Sequence, residues 1–230
     1  MLSKIALKVK NLTKVYGAGE TRVVALDDIS LEIDAGTFCA IMGPSGSGKT
    51  TLLQIMAGLD KPTSGEIFIG DEEVTSMNEA QLTELRRKRI GFIFQTNNLL
   101  PTLTAKENIL LPLIIAGSKP DEEWFERVIS AVGLGNRLEH RPSELSQGQQ
   151  QRVATARALI TQPRVVLADE PTGNLDSRSS NDLLEFLSET MGEFSQTIIM
   201  VTHDQHAATW ARRVIEISDG RVRQGAQASP

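Results

Sequence analysis

The stretch Phe38-Cys39-Ala40-Ile41-Met42-Gly43-Pro44-Ser45-Gly46-Ser47-Gly48-Lys49-Thr50-Thr51-Leu52-Leu53-Gln54-Ile55-Met56-Ala57 decides the fold. Its apolar first five residues read as a buried strand. Its last eight read as a helix. Between them, Gly43 to Thr50 matches G-x-x-x-x-G-K-[ST], a loop that cradles phosphate. Glycines let the backbone approach an anion closely, and successive N–H groups then converge on it. The helix N-terminus adds positive partial charge. Gly43, Pro44, Ser45, Gly46, Ser47, Gly48 and Thr51 are therefore candidate phosphate contacts. Lys49 is expected to reach the β- and γ-phosphates, and the Thr50 hydroxyl to bind Mg²⁺.

Working outward, Val165-Val166-Leu167-Ala168-Asp169-Glu170 is a second buried strand, ending in two carboxylates. That strand is expected beside the loop strand, with Asp169 reaching the metal. Glu170 suits a different task, general-base polarisation of an attacking water. Gln95, after the apolar run Ile90 to Phe94, offers a neutral amide for metal and water. His203, after the strand Thr197 to Thr202, can contact a γ-phosphate and orient Glu170. Leu145-Ser146-Gln147-Gly148-Gln149 opens a further helix. Ser146 has the character of an N-cap, and a hydroxyl plus glycine at a helix start form an anion site. The chain has its own phosphate loop, so this second anion site points to a nucleotide held by a neighbouring molecule.

Solid apolar runs such as Ile198-Ile199-Met200-Val201 fit parallel strands buried on both faces. The order of elements, opening on a strand expected from Ile5 to Val9, is that of an α/β chain. Residues 1–95 and 162–222 are expected to form the core with a β-subdomain, residues 96–161 a helical insertion, and residues 223–230 a weakly ordered tail. The 230 residues are 40% hydrophobic and 23% charged, with net charge −5, an ordinary globular composition that does not favour nucleic acid. The one dense basic run, Arg86-Arg87-Lys88-Arg89, sits at a helix end, where cations suit the dipole. Aromatics are 4%, too few for base-stacking platforms along a strand of nucleic acid. Cys39 is the only cysteine and reads as a small core residue. No apolar run approaches bilayer-spanning length. Any work at a membrane would then need a membrane part supplied by another chain.

With these residues in place, the chain resembles the nucleotide-binding subunit of ATP-binding-cassette transporters over about residues 8–220. Leu145 to Gln149 stand at the cassette signature, Gln95 at the glutamine loop, Asn174-Leu175-Asp176 at the D-loop and His203 at the switch histidine. The resemblance implies a phosphate-loop, RecA-like core with a mixed sheet, an N-terminal antiparallel β-subdomain and an inserted α-helical signature subdomain. It implies ATP and Mg²⁺ as ligands, with Thr50, Gln95 and Asp169 around the metal and Tyr16 stacked on adenine. It also implies a head-to-tail dimer in which Ser146, Gly148 and Gln149 act on the partner's nucleotide. A multi-pass membrane permease would be the further partner, with the cassette peripheral on the cytoplasmic face. Val15-Tyr16-Gly17 followed by Gly19-Glu20 and Ala25-Leu26, and the stretch Gly91 to Thr104, are similar to the lipoprotein-releasing and macrolide-exporting group. A soluble non-transport cassette of chromosome-maintenance or translation type is the alternative, but the long coiled-coil insertion of the first has no counterpart here, and the second carries more basic charge. Gln147 departs from the family's usual glycine.

Overall fold

The computed structural model describes residues 4–194 and 196–223; of the expected tail, residues 223–230, Arg223 belongs to the last strand and residues 224–230 lie outside the described residues. Two sheets organise the chain. The first is antiparallel and built from β1 (Ile5–Tyr16), β2 (Val23–Asp34), β4 (Ser64–Ile69) and β5 (Glu72–Glu73), in the order β2-β1-β4-β5. The second takes β3 (Phe38–Met42), β6 (Ile90–Ile93), β7 (Val165–Asp169), β8 (Thr197–Thr202), β9 (Arg213–Ser218) and β10 (Arg221–Arg223). Its order is β10-β9-β3-β8-β7-β6, parallel throughout except for β10.

The apolar runs behave as two-faced strands. Cys39, Ile41, Val165, Leu167, Ile199 and Val201 enter a core shared with the antiparallel sheet and with α1 (Lys49–Met56) and α2 (Glu79–Arg89). Their neighbours Phe38, Ala40, Val166, Ala168, Ile198 and Met200 face a second core. That one is covered by α3 (Ala105–Ile115), α4 (Glu122–Val132), α5 (Gln147–Leu159), α6 (Ser177–Phe194) and α7 (Gln205–Ala208). Alternate side chains of one strand point to opposite faces, so both sets are apolar and both are covered.

Three expectations change. The strand ending in Asp169 does not lie beside the loop strand. β8 intervenes, because all six of its residues are buried and it takes the middle of the sheet. The stretch from Thr96 to Thr104 is not helical. Pro101 disfavours helix for Leu100, and the buried Asn108 side chain claims the Leu100, Leu103 and Thr104 carbonyls. β1 runs to Tyr16, well past Val9, because register shifts let it pair on through polar residues.

The basic run at the end of α2 is a solvated helix end with local partners. Arg87 and Lys88 pair with Glu84, Arg89 pairs with Glu72, and Arg86 donates to the Gly58 carbonyl.

Candidate functional site

Parallel register brings the motif ends to one edge of the sheet. Met42 is level with Thr202, Val201 with Asp169, and Ala168 with Ile93. Gly43, His203, Glu170 and Gln95 therefore all leave strands at their carboxyl ends, the side on which open α/β sheets bind ligands. A cavity of about 700 Å³ opens there, lined by Pro44, Ser45, Gly46, Gly48, Lys49, Thr50, Thr51, Gln95, Asp169, Glu170 and His203, with Val23, Val24 and Ala25 forming its remaining wall.

The loop has this shape for steric reasons. A Cβ on Gly43 would lie 2.0 Å from the Ile217 carbonyl oxygen, and one on Gly48 would lie 2.4 Å from that of Ala25. At Gly46, by contrast, φ is +79° and a Cβ would meet nothing within 4 Å, so the tip of the loop is open. Lys49 is buried and curls back, its ammonium donating to the Gly43 and Pro44 carbonyls at 2.8 and 2.9 Å. The Ser47 hydroxyl is buried with no hydrogen-bond partner among the described residues. A cationic loop with an unused buried hydroxyl fits a phosphate chain.

Thr50 Oγ1 donates to Asp169 Oδ1 at 3.3 Å, so α1 reaches across β8 and joins the two strands that the sheet separates. Burial pushes the Asp169 carboxyl up, and the neighbouring Glu170 charge adds to this; the Thr50 hydrogen bond and Lys49 oppose it. A carboxylate that resists its own charge suits a divalent cation. No group of three or more His, Cys, Asp or Glu placed to hold a metal ion by itself occurs among the described residues. One hydroxyl and one carboxylate are instead the sparse donor set that Mg²⁺ takes when phosphates and water complete its shell.

Glu170 Oε1 lies 2.9 Å from His203 Nδ1, the pair expected from sequence. Glu170 itself has φ +43°, a left-handed conformation costly for a non-glycine residue. Its N–H is tied to the Val201 carbonyl and its own carbonyl to the Gly173 N–H. Gly173 lets these groups pack closely, since a Cβ would lie 3.3 Å from both Gln95 Nε2 and the Glu170 carbonyl. Asn174 Nδ2 donates to the Gln95 carbonyl at 3.0 Å, so the segment after Gly173 is tied directly to Gln95.

The signature residues form their own site. Ser146 caps α5 through a reciprocal box: its hydroxyl accepts from Gln149 N and Gln149 Oε1 accepts from Ser146 N. Ser146, Gly148 and Gln149 do not line the phosphate cavity. Gln147 is exposed, beside a crevice it shares with Gln95 and Asn174. Asp176 caps the start of α6, accepting from Ser179 N and Oγ at 2.9 Å each.

Tyr16 stands at the cavity margin. It is paired across the sheet with Val23, and cross-strand partners share a face. Val23 and Val24 were not anticipated as site residues. They carry no polar motif, and their signal is their exposure: 59% and 40% on a strand beside the loop.

The ABC transporter family profile matches residues 26–173 of the chain. The macrolide export ATP-binding/permease protein MacB of Hyphomonas neptunium is 49% identical over 218 residues, 94% of this chain and 34% of that protein. The chain thus spans about a third of the MacB relatives it matches. The lipoprotein-releasing system ATP-binding protein LolD of Geobacter metallireducens is 46% identical over 94% of this chain and 97% of its own length. Among solved structures, the dimeric ATP-binding cassette MJ0796, in a post-hydrolysis state with ADP and Pi, superposes with TM-score 0.86 at 42% identity. That match covers 97% of this chain and 99% of the other.

Proposed function

Because the chain belongs to the ABC transporter family, we propose that it binds ATP with Mg²⁺ and hydrolyses it as one of two cassettes coupled to a membrane permease. The cargo class suggested by its relatives is a lipoprotein, lipid or drug-like molecule, exported or extracted. The observation that carries the reading is the convergence of Lys49, Thr50, Asp169, Glu170 and His203 on one cavity.

Each side chain has a task there. Lys49 and the loop N–H groups bind and orient the triphosphate. Thr50 and Asp169 would hold Mg²⁺, which when bound neutralises charge on the phosphate oxygens. Glu170 accepts the proton of the attacking water. His203 fixes the Glu170 carboxylate through Oε1, leaving Oε2 for that water. Gln95, which lines the same cavity, orients that water.

Ser146 and Gly148 serve the nucleotide of a second copy. Two observations support this: neither lines the chain's own cavity, and the solved structure of the MJ0796 cassette with ADP and Pi is dimeric. No helix among the described residues is long and apolar enough to cross a membrane. Attachment to the cytoplasmic face would then run through the permease. Ile114 and Ile115, 60% and 67% exposed at the end of α3, are apolar residues suited to contact it.

The test is turnover with trapping. Glu170→Gln should keep ATP binding and lower kcat by about 10²- to 10⁴-fold, the usual worth of a general base. It should also elute as a dimer with ATP. Lys49→Ala should lose ATP binding. Wild-type turnover in Glu170→Gln would remove the base assignment.

A further inference from the structure

The margin of the cavity holds a second polar cluster that the phosphate chemistry does not use. Asp60 sits just beyond the end of α1, the helix whose first turn carries Lys49, Thr50 and Thr51. Its Oδ2 accepts from the Tyr16 hydroxyl at 2.7 Å. Its Oδ1 accepts from Lys14 Nζ at 2.8 Å and from the Lys61 N–H at 2.7 Å. Lys14 Nζ donates again to the Lys61 carbonyl at 2.6 Å and stands 4.6 Å from the centroid of the Tyr16 ring. The backbone closes the arrangement: Val15 N–H donates to Thr63 Oγ1, and Thr63 N–H to the Thr13 carbonyl.

The consequences for the ring are specific. Its hydroxyl is anchored, and a cation covers one of its faces. The Lys14 side chain is only 12% exposed, so the ion pair is screened less than a surface pair. The cluster also ties the ring to the far end of the phosphate-loop helix. We propose that Asp60, with Lys14, is a positioning residue that locks the Tyr16 ring so that its uncovered face receives the nucleotide base. The inference rests on the reading of Tyr16 as the base platform. A platform held in advance loses little freedom when the base arrives, which raises affinity without touching the chemical step.

Both ionisable groups respond to the cluster. Burial and the Asp60 hydrogen bond push the Tyr16 phenol up, against a smaller opposing effect of Thr51. Burial of Asp60 raises its pKa, but hydrogen bonds from Lys14, Tyr16 and the Lys61 backbone outweigh it and bring the carboxyl below its ordinary value. A depressed carboxyl contributes stability above its unfolded pKa of about 3.9. That contribution is lost as pH falls through the folded value, so the clamp is intact at neutral pH.

Tyr16 is the only tyrosine in the chain, so its ionisation can be followed by absorbance without interference from another. The experiment compares wild type, Asp60→Asn, Asp60→Ala, Tyr16→Phe and Tyr16→Ala. For each, KM and kcat for ATP are measured, together with binding of ATP and of inorganic tripolyphosphate. Asp60→Ala should raise KM for ATP about 3- to 10-fold, the worth of one immobilised side chain. Its kcat should stay within about two-fold and tripolyphosphate binding should not change. Asp60→Asn keeps the volume and an acceptor, and it should lower the pH of tyrosinate formation. In a Tyr16→Ala background, Asp60→Ala should add nothing. Equal weakening of ATP and tripolyphosphate by Asp60→Ala, or no effect on either, would overturn the proposal while leaving the base platform standing. If Tyr16→Ala binds ATP and tripolyphosphate as wild type does, the platform reading itself fails, and the clamp with it.

Discussion

At the scale of the residue, the site is held by positions that tolerate no substitute. Gly48 joins the phosphate loop to α1 at φ +99°, with the Ala25 carbonyl 2.4 Å from where a Cβ would sit. Alanine there would be strained by the backbone angle and by the collision together. Gly48→Ala should therefore cost more than about 1 kcal/mol. Thermal unfolding of the nucleotide-free protein should show a lower Tm, and ATP binding should weaken with it. Glu170 is the opposite case, a non-glycine residue kept at φ +43°. Its strain is offset by paired backbone groups on both sides, and it aims the carboxylate at His203. Cys39 has no such role: burial pushes its thiol up to about 12, which makes it a packing residue.

At the scale of the element, side-chain caps set the boundaries. Thr104 and Glu107 form a capping box at the start of α3, Asn78 and Gln81 one at the start of α2, and Ser146 and Gln149 one at the start of α5. α5 is pressed closely onto β6, since a Cβ on Gly91 would lie 2.3 Å from the Ala158 carbonyl. Farther along, Arg157 donates to the Asn97 and Asn98 carbonyls at 2.7 and 2.8 Å, joining the signature helix to the segment that follows Gln95. The non-helical approach to α3 hangs on Asn108, fully buried, whose amide accepts from Leu100 N and donates to three carbonyls. The Leu100 and Thr104 carbonyls keep backbone partners, but Asn108→Ala would take this partner from the Leu100 N–H and the Leu103 carbonyl, at about 1–3 kcal/mol for each one left buried without another. Urea unfolding should show a clearly lower midpoint, with the loss centred on residues 96–104 in hydrogen exchange. A midpoint unchanged from wild type would mean that water replaces the amide at no cost.

At the scale of the whole molecule, the phosphate-loop cavity and the start of α5 lie apart within one chain. The phosphate cavity lies at the carboxyl edge of the parallel sheet, and the start of α5 forms a separate surface. ATPase activity should accordingly fall with dilution faster than enzyme concentration does. Ser146→Arg should lower hydrolysis strongly while costing the lone chain no more than the lost N-cap, about 0.5–2 kcal/mol in thermal unfolding. An undiminished rate in Ser146→Arg would argue that each chain works alone.

Most of the chemistry was legible in the order of residues, because it depends on short stretches whose geometry is local. Eight residues from Gly43 to Thr50 make an anion loop wherever a strand precedes them and a helix follows. Apolar strands ending in Asp169–Glu170 and in Thr202–His203 announce their reactive ends by themselves. What the sequence could not contain was the lateral order of the strands. The placing of β8 between the loop strand and the acidic strand depends on which faces pack against which layers, a sum over contacts distant in the chain. The same limit hid the valine wall at Val23 and Val24 and the union of Lys14, Asp60 and Tyr16, 46 and 44 residues apart in sequence. Periodicity and motif report on neighbours along the backbone. Only the folded chain decides which distant side chains share a face, because burial of the two cores, not local preference, fixes where the sheets meet.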